Sequence, residues 1–135
     1  MPKPPLTADA DEMFVRPNYA TMSTVRPDGQ PVSVATWYLY ENRRVLVNMD
    51  ARRKRVEHLR NDPRVSLTAL DPNDWFTHLS VVGKVVKMVD DPDLIDIDRI
   101  AKHYTGEQYA TRDYPRISVW IEIDRWFGWG ALRQN

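Results

Sequence analysis

Apolar residues alternate with polar or small residues along much of the chain, which is the pattern of β-strands that bury one face. Alternating or short apolar runs predict six strands, at residues 19–25, 32–40, 45–47, 65–70, 76–89 and 116–123. The second run carries apolar bulk on both faces, as expected for a barrel wall that also supports a ligand or a partner. Pro27-Asp28-Gly29 follows the first run and predicts a hairpin turn. Six closely spaced strands with short helices predict a mainly β, antiparallel barrel.

Apolar residues at helical spacing predict two or three short helices, at about residues 7–16, 51–61 and 91–104. Asp9 with Glu12 resembles a capping box for the first of them. Asp91 as N-cap and Pro92 at the first helical position open the third. Residues 124–135 follow the last predicted strand and form an aromatic C-terminal tail.

Length and composition limit the kinds of protein that this chain can be. The 135 residues predict a single domain spanning residues 1–135. Nineteen Lys and Arg residues balance nineteen Asp and Glu residues, so the overall basic charge expected of a nucleic-acid-binding protein is missing. The absence of cysteine excludes disulfides and thiolate metal sites, which fits a reducing cytoplasm. No apolar run is long enough to span a membrane, so we expect a soluble cytoplasmic protein without a membrane partner.

Positive charge is concentrated in one segment of this neutral chain. Residues 43–64 contain eight Lys or Arg residues and three Asp or Glu residues, a local net charge of 8 − 3 = +5. The densest part, residues 52–55 (Arg-Arg-Lys-Arg), lies where the second predicted helix begins. Helix N-termini attract anions and Arg binds phosphate through two hydrogen bonds, so this segment predicts a phosphate site. A solvated basic helix face explains the composition equally, and Asp50 as N-cap would compete for the same amide groups.

The five tryptophans are the second unusual feature of the chain. Four of them occur in the segments Trp37-Tyr38, Trp75-Phe76 and Trp126-Phe127-Gly128-Trp129, and the fifth lies in the predicted strand 116–123. Their rings either stack on a planar ligand or fill the barrel core and a dimer interface.

Other chemistries find little support in the sequence. His58, His78 and His103 share no metal-ligand spacing, so no metal site is predicted. No nucleophile elbow, Walker loop or Gly-x-Gly-x-x-Gly fingerprint is present in a chain with five glycines. Hydrolysis is therefore not expected.

The order of several short motifs resembles the split-barrel flavin and deazaflavin oxidoreductases, the pyridoxamine 5'-phosphate oxidase-like family. The motifs are Ala20-Thr21-Met22-Ser23-Thr24-Val25, Pro27-Asp28-Gly29 with Pro31, Thr36-Trp37-Tyr38, Arg53-Lys54-Arg55 with Leu59, Asp62-Pro63-Arg64-Val65-Ser66-Leu67 with Pro72, and Val82-Gly83. The resemblance covers about residues 7–123. It implies a six-stranded Greek-key split barrel that forms a homodimer, with FMN or coenzyme F420 bound across the subunit interface.

The resemblance also implies roles for residues at matching positions. Arg53 and Arg55, with Lys54 between them, look like the ligands of the cofactor phosphate. Thr36 and Trp37 are similar to the segment whose backbone borders the flavin ring.

Further positions depart from the family pattern or depend on a second subunit. Asn48 and Met49 end the third predicted strand, where the family usually presents small hydroxyl residues. Trp75 and His78 resemble residues that reach the ring or the substrate from the partner subunit. If the reaction needs a proton donor, His78 and Tyr38 are the candidates.

The resemblance favours coenzyme F420 over FMN as cofactor. The short chain, the Trp37-Tyr38 pair and the Asp62-Pro63-Arg64-Val65 run look like the branch of the family that uses F420. The predicted function is hydride transfer between the reduced deazaflavin and a conjugated small molecule, with the cofactor performing the difficult step. An FMN-dependent oxidoreductase or oxidase and a non-catalytic cofactor-binding barrel are the alternatives.

Overall fold

One antiparallel sheet of seven strands organises the chain, of which the computed structural model describes residues 1–132. The strands are β1 (Tyr19–Val25), β2 (Pro31–Thr36), β3 (Leu39–Glu41), β4 (Arg44–Asp50), β5 (Arg64–Asp71), β6 (Asp74–Asp90) and β7 (Arg116–Trp129). The helices are α1 (Ala8–Phe14), α2 (Lys54–Asn61) and α3 (Ile95–Thr105), and a 3-10 turn spans Gly130–Leu132. The mainly β class with three short helices is the predicted one.

The strands follow the order β2-β1-β5-β6-β7-β4-β3 across the sheet. The long strands β6 and β7 form its centre and pair antiparallel from His78 to Asp90. Consecutive strands β2 and β3 lie at opposite edges and do not pair with each other. This arrangement is the split barrel, because the sheet curls around one core without closing between these two edges.

The predicted strand 32–40 is interrupted at Trp37 and Tyr38, which gives seven strands instead of six. Tyr38 is 1% exposed and turns into the core, where its hydroxyl donates to the carbonyl oxygen of Phe14 at 2.8 Å. Trp37 stacks on Tyr104 of α3 instead. Two neighbouring aromatic residues thus anchor the chain where it leaves one edge of the sheet and joins the other.

The core lies between the inner face of the sheet and helices α1 and α2. Its members are mostly aliphatic residues from alternating strand positions, together with Phe14, Tyr38 and Trp126. Val56 and Leu59 attach α2 to this core, as the apolar spacing of that helix predicts. The tail predicted for residues 124–135 is largely strand: β7 continues to Trp129, and Trp126 is only 2% exposed. Residues 133–135 of that segment lie outside the described residues.

Two predicted caps are placed differently in the structure. Thr7, not Asp9, is the N-cap of α1, and the Asp9 carboxylate accepts from the amide of Ala10 at 3.0 Å. Helix α3 begins at Ile95, so Asp91 lies before its N-cap residue. The Asp91 carboxylate nevertheless accepts from the amide of Ile97 at 3.0 Å, and it stabilises the helix start from outside the helix.

Candidate functional site

Two pockets that share Arg55 flank the edge strand β2. The first, which we call the aromatic pocket, has a volume of about 400 Å³ and lies between β1, β2, β4, the start of β7 and α3. Its lining combines aromatic, aliphatic and basic side chains: Tyr19, Ala20, Ala35, Thr36, Trp37, Asn48, Arg55, Ile97, Ile100, Tyr104, Tyr109 and Arg116. A planar organic molecule with an anionic group matches such a lining.

The second pocket, which we call the basic pocket, has a volume of about 450 Å³ and lies between β2 and the start of α2. Strand residues and the basic cluster line it together: Val32, Ser33, Val34, Arg52, Arg53, Lys54, Arg55 and His58. The His58 ring is held by a 3.1 Å hydrogen bond between its Nδ1 and the Thr24 hydroxyl.

Asp50, the predicted N-cap residue of α2, does not cap this helix. Arg53 is the N-cap residue, and no side chain of the described residues accepts from the first amides of the helix. Asp50, the predicted cap, accepts instead from the backbone N–H of Arg52 at 2.9 Å and from its guanidinium at 2.7 and 3.0 Å. The amide of Val56 donates to the carbonyl oxygen of Arg53 at 3.1 Å. The amides of Lys54 and Arg55, which precede it, have no partner within the helix and are available to an anion beside the basic pocket.

The four basic residues of the cluster differ in their partners. Arg52 pairs with Asp50, and its guanidinium lies 3.6 Å from the centre of the Tyr114 ring. Lys54 pairs with Glu57 at 3.7 Å on the exposed surface, a weak interaction. Arg53 and Arg55 form no ion pair among the described residues. Their positive charges are available for a ligand.

Arg55 is the best evidence that the site accepts an anion. Its Nε is buried and has no hydrogen-bond partner among the described residues. Burial lowers the pKa of its guanidinium, and the positive charges of Arg53 and Arg116 lower it further. A buried donor without an acceptor is unfavourable, so a phosphate or carboxylate that accepts from this N–H would stabilise the arrangement. The residues present therefore fit the anionic tail of a flavin or deazaflavin.

Aromatic rings form one wall of the aromatic pocket. Trp37 stacks on Tyr104 with ring centres 5.2 Å apart, and Tyr109 meets it edge-on at 6.2 Å. The Tyr104 hydroxyl donates to the carbonyl oxygen of Asn18 at 2.7 Å, and burial raises the pKa of Tyr104 to about 12. Since Trp37 is still 36% exposed, part of its ring can contact a planar ligand.

A polar network crosses the opposite side of this pocket. The Asn48 amide nitrogen donates to Asp91 at 3.1 Å and to the Ser118 hydroxyl at 3.0 Å. The Asn48 amide oxygen accepts from Nε of Arg116 at 2.9 Å. Asn48 is thereby held in one orientation and in turn holds Arg116.

Six of the residues predicted at the site border the two pockets: Thr36, Trp37 and Asn48 in the aromatic pocket, Arg53 and Lys54 in the basic pocket, and Arg55 in both. Their cofactor-binding role stays a prediction.

The sequence analysis did not predict four other residues that line the pockets: His58, Tyr104, Tyr109 and Arg116. His58 follows Arg55 by one helical turn, which is a usable signal, but Arg116 is far from the cluster in sequence.

Four other predicted residues lie outside both pockets. Met49 is 2% exposed, and its side chain packs in the core. Tyr38 is buried and hydrogen-bonded to Phe14 and Asn18, and burial strongly raises the pKa of its phenol. This arrangement does not favour the predicted role of Tyr38 as a proton donor. Trp75 is 72% exposed beyond the pockets, and His78 Nδ1 lies 3.0 Å from the Phe76 carbonyl oxygen on β6.

Within residues 1–132, no group of three or more His, Asp or Glu side chains is arranged to hold a metal ion. No helix in that range is both long and apolar enough to cross a membrane. Location in the cytoplasm stays a prediction.

The fold and the two pockets define a class, the split-barrel proteins with a basic site beside the edge strand. Comparison with known families agrees: the sequence profile described as pyridoxamine 5'-phosphate oxidase matches residues 6–130. The chain belongs to this family. A search of curated protein sequences gives no significant match.

Solved structures with the same fold are numerous, and three illustrate the range. A protein described as an F420 reductase superposes with a TM-score of 0.78 at 24% identity, covering 86% of this chain and 94% of the other. A conserved hypothetical protein from Mycobacterium tuberculosis gives 0.72 at 24% identity, with 94% and 86% covered. General Stress Protein 26 from Bacillus anthracis gives 0.67 at 19% identity, with 88% and 89% covered. At these identities the likeness establishes the fold.

Proposed function

We propose that the protein is a coenzyme F420-dependent oxidoreductase that transfers a hydride between the reduced deazaflavin and a conjugated organic substrate. The observation that carries the proposal is the buried Nε of Arg55, which lines both pockets and lacks an acceptor among residues 1–132. An anionic cofactor tail supplies that acceptor. The structural likeness to a protein described as an F420 reductase supports a deazaflavin as the ligand.

In this proposal the chain's own residues bind and orient the reactants. Arg53, Lys54, Arg55 and the first amides of α2 hold the anionic tail. The segment of Thr36 and Trp37 borders the ring. When bound, the deazaflavin supplies the two-electron hydride chemistry. The protein contributes position and exclusion of water, which is why a catalytic triad or dyad is not required.

An FMN-dependent oxidoreductase is the second candidate. The description of the matched family, pyridoxamine 5'-phosphate oxidase, favours it. Against it stand Asn48 and Met49, which occupy the end of β4 where small hydroxyl residues are expected for the FMN phosphate. Met49 has no hydroxyl group, and because it is buried it makes no contact in either pocket.

The site proposed here is completed by a second copy of the chain. The outward face of the sheet carries small hydroxyl residues that leave it flat: Thr21, Ser23, Ser33, Ser66, Thr68 and Ser80. Exposed Trp75 and half-buried His78 lie toward one end of this face. In a homodimer they reach the site of the other copy, where His78 is the remaining candidate for a proton donor.

Parallel titrations with F420 and FMN test the proposal, with tryptophan fluorescence as the signal. We expect saturable quenching by F420 and weaker quenching by FMN, because Trp37 lies beside the proposed ring site. Oxidation of reduced F420 by a quinone acceptor then distinguishes an enzyme from a carrier. Tight FMN binding with weak F420 binding would favour the second candidate. Binding of neither cofactor would overturn both proposals, and F420 binding without turnover would identify a non-catalytic carrier.

A further inference from the structure

Arg116 is a third arginine at the site, and it approaches from the side opposite the basic cluster. It begins β7 and lines the aromatic pocket. Its Nε donates to the Asn48 amide oxygen at 2.9 Å, and its guanidinium lies 4.8 Å from the centre of the Tyr109 ring. A hydrogen bond and a ring contact therefore hold this side chain in one place, as a binding residue requires.

The charge of Arg116 is not neutralised by the protein. It forms no ion pair among the described residues, although the chain has equal numbers of basic and acidic residues. The nearby carboxylates are already used. Asp91 accepts from Asn48 and from two amides of α3, and Asp96 accepts from the Ser118 hydroxyl and from Arg99.

Arg55 adds a second donor to the same pocket. Its buried Nε has no acceptor within residues 1–132, and its side chain lines the aromatic pocket together with Arg116. Two guanidinium groups that line one pocket repel each other, and an anion between them offsets this repulsion. Their arrangement is therefore that of a binding site.

We infer that Arg116 and Arg55 bind an anionic group, a carboxylate or a phosphate, of a planar conjugated molecule whose ring lies against Trp37 in the aromatic pocket. This inference rests on the proposed function for the role of that molecule. The group belongs either to the substrate or to the cofactor. Both have the same chemistry, an oxyanion in a molecule that also contains a flat ring system, and binding experiments separate them.

The direct test compares 2-naphthoate with its neutral amide, 2-naphthamide, by isothermal titration calorimetry. We expect the wild-type protein to bind the acid about 10- to 100-fold more tightly, since a charge-assisted hydrogen bond distinguishes the two. Arg116→Gln should abolish this preference. Arg44→Gln is the matched control: it removes one positive charge at the exposed start of β4, away from Asn48 and Arg116. This variant should still prefer the acid over the amide.

Repeating the titrations with F420 identifies the source of the anion. If the group is the substrate's, Arg116→Gln leaves F420 affinity unchanged, and the F420-loaded wild-type protein still prefers the acid. If the group is the cofactor's, Arg116→Gln weakens F420 binding about 10-fold or more, and F420 displaces 2-naphthoate. Either result supports the inference.

Equal binding of acid and amide by the wild-type protein would overturn the inference, and this measurement needs no variant to fold. A preference that persists in folded Arg116→Gln, with F420 affinity unchanged, would overturn it as well. Failure of F420 and FMN to bind, with the acid preference intact and dependent on Arg116, would reject the proposed function and leave the anion site standing.

Discussion

Asp50 decides which arginines of the basic cluster can bind a ligand. Its carboxylate is 9% exposed and pairs with the guanidinium of Arg52 through two hydrogen bonds. These bonds hold the pKa of Asp50 well below its ordinary value. Arg52 lines the basic pocket but its charge is already paired, whereas Arg53 and Arg55 have no ion-pair partner within residues 1–132.

Replacing Asp50 with Asn tests this pair through protein stability. A lowered carboxyl pKa stabilises the folded protein above the pKa of the unfolded chain, about 3.9, and the gain is lost as the pH falls. Asp50→Asn should therefore reduce the free energy of unfolding at pH 7 by about 1.5–3 kcal/mol. The difference from the wild-type protein should shrink below about pH 4.

Denaturant unfolding at a series of pH values measures this effect. Asp28→Asn is the matched control, because Asp28 pairs with Arg26 at 2.9 Å but is 58% exposed. Surface pairs contribute little, so this control should change stability by less than about 1 kcal/mol. Equal effects of the two substitutions, or a difference for Asp50→Asn that does not depend on pH, would contradict the assignment.

At this scale the sequence predicts the basic cluster but not its division into paired and unpaired arginines. The charge run from Arg52 to Arg55 is visible directly. The expected N-cap role of Asp50 fails because α2 begins four residues later, and a carboxylate two residues before Arg52 closes a local turn instead. A shift of this size in a helix boundary cannot be read from local preferences.

Among the elements, the pairing of β6 with β7 governs the shape of the barrel. The register between them shifts at Val82 and Gly83. A side chain at Gly83 would overlap the carbonyl oxygen of Glu122 on β7. An interior glycine is typical of a bulge in a strand, and the close approach of β7 explains why position 83 is a glycine.

Gly83→Ala should lower the free energy of unfolding by about 1–3 kcal/mol, because backbone must move to admit the methyl group. Thermal and denaturant unfolding measure the loss. Lys87→Ala, at an exposed position of the same strand, is the control and should stay within about 0.5 kcal/mol of the wild-type protein. A neutral Gly83→Ala would show that the two strands are not held in this register.

The break between β2 and β3 illustrates what local patterns miss. Apolar residues alternate through Trp37 and Tyr38, so the pattern predicts one continuous strand. The actual bend depends on partners distant in sequence: Phe14 accepts from Tyr38, and Tyr104 stacks on Trp37. Tertiary contacts of this kind override the local preference for a strand.

For the whole molecule, the proposed dimer explains the flat hydroxyl face and the exposed aromatic residues near it. It predicts a solution mass near twice the chain mass of 15.8 kDa. Thr21→Arg places a large charge on this face and should shift the protein toward monomer, because an unpaired buried charge is strongly unfavourable. Light scattering coupled to size-exclusion chromatography gives the mass.

Gln108→Arg, on the exposed loop after α3, is the charge-matched control and should leave the mass unchanged. A monomeric wild-type protein, or a Thr21→Arg variant with the wild-type mass, would contradict the proposed interface.

Strand order is also a property of the whole molecule. Only the family resemblance predicted a Greek-key order, since pairs such as β1 with β5 join residues far apart in sequence.

The most direct measurement on the site is the affinity of the double variant Arg53→Ala/Arg55→Ala for F420, determined by calorimetry. Each lost charge-assisted hydrogen bond contributes about 1.5–3 kcal/mol, so we expect affinity to fall by about two to four orders of magnitude. Arg60→Ala, on the exposed last turn of the same helix, should bind F420 like the wild-type protein. Unchanged affinity in the double variant would mean that residues 52–55 are a solvated basic surface and that the cofactor tail does not bind there.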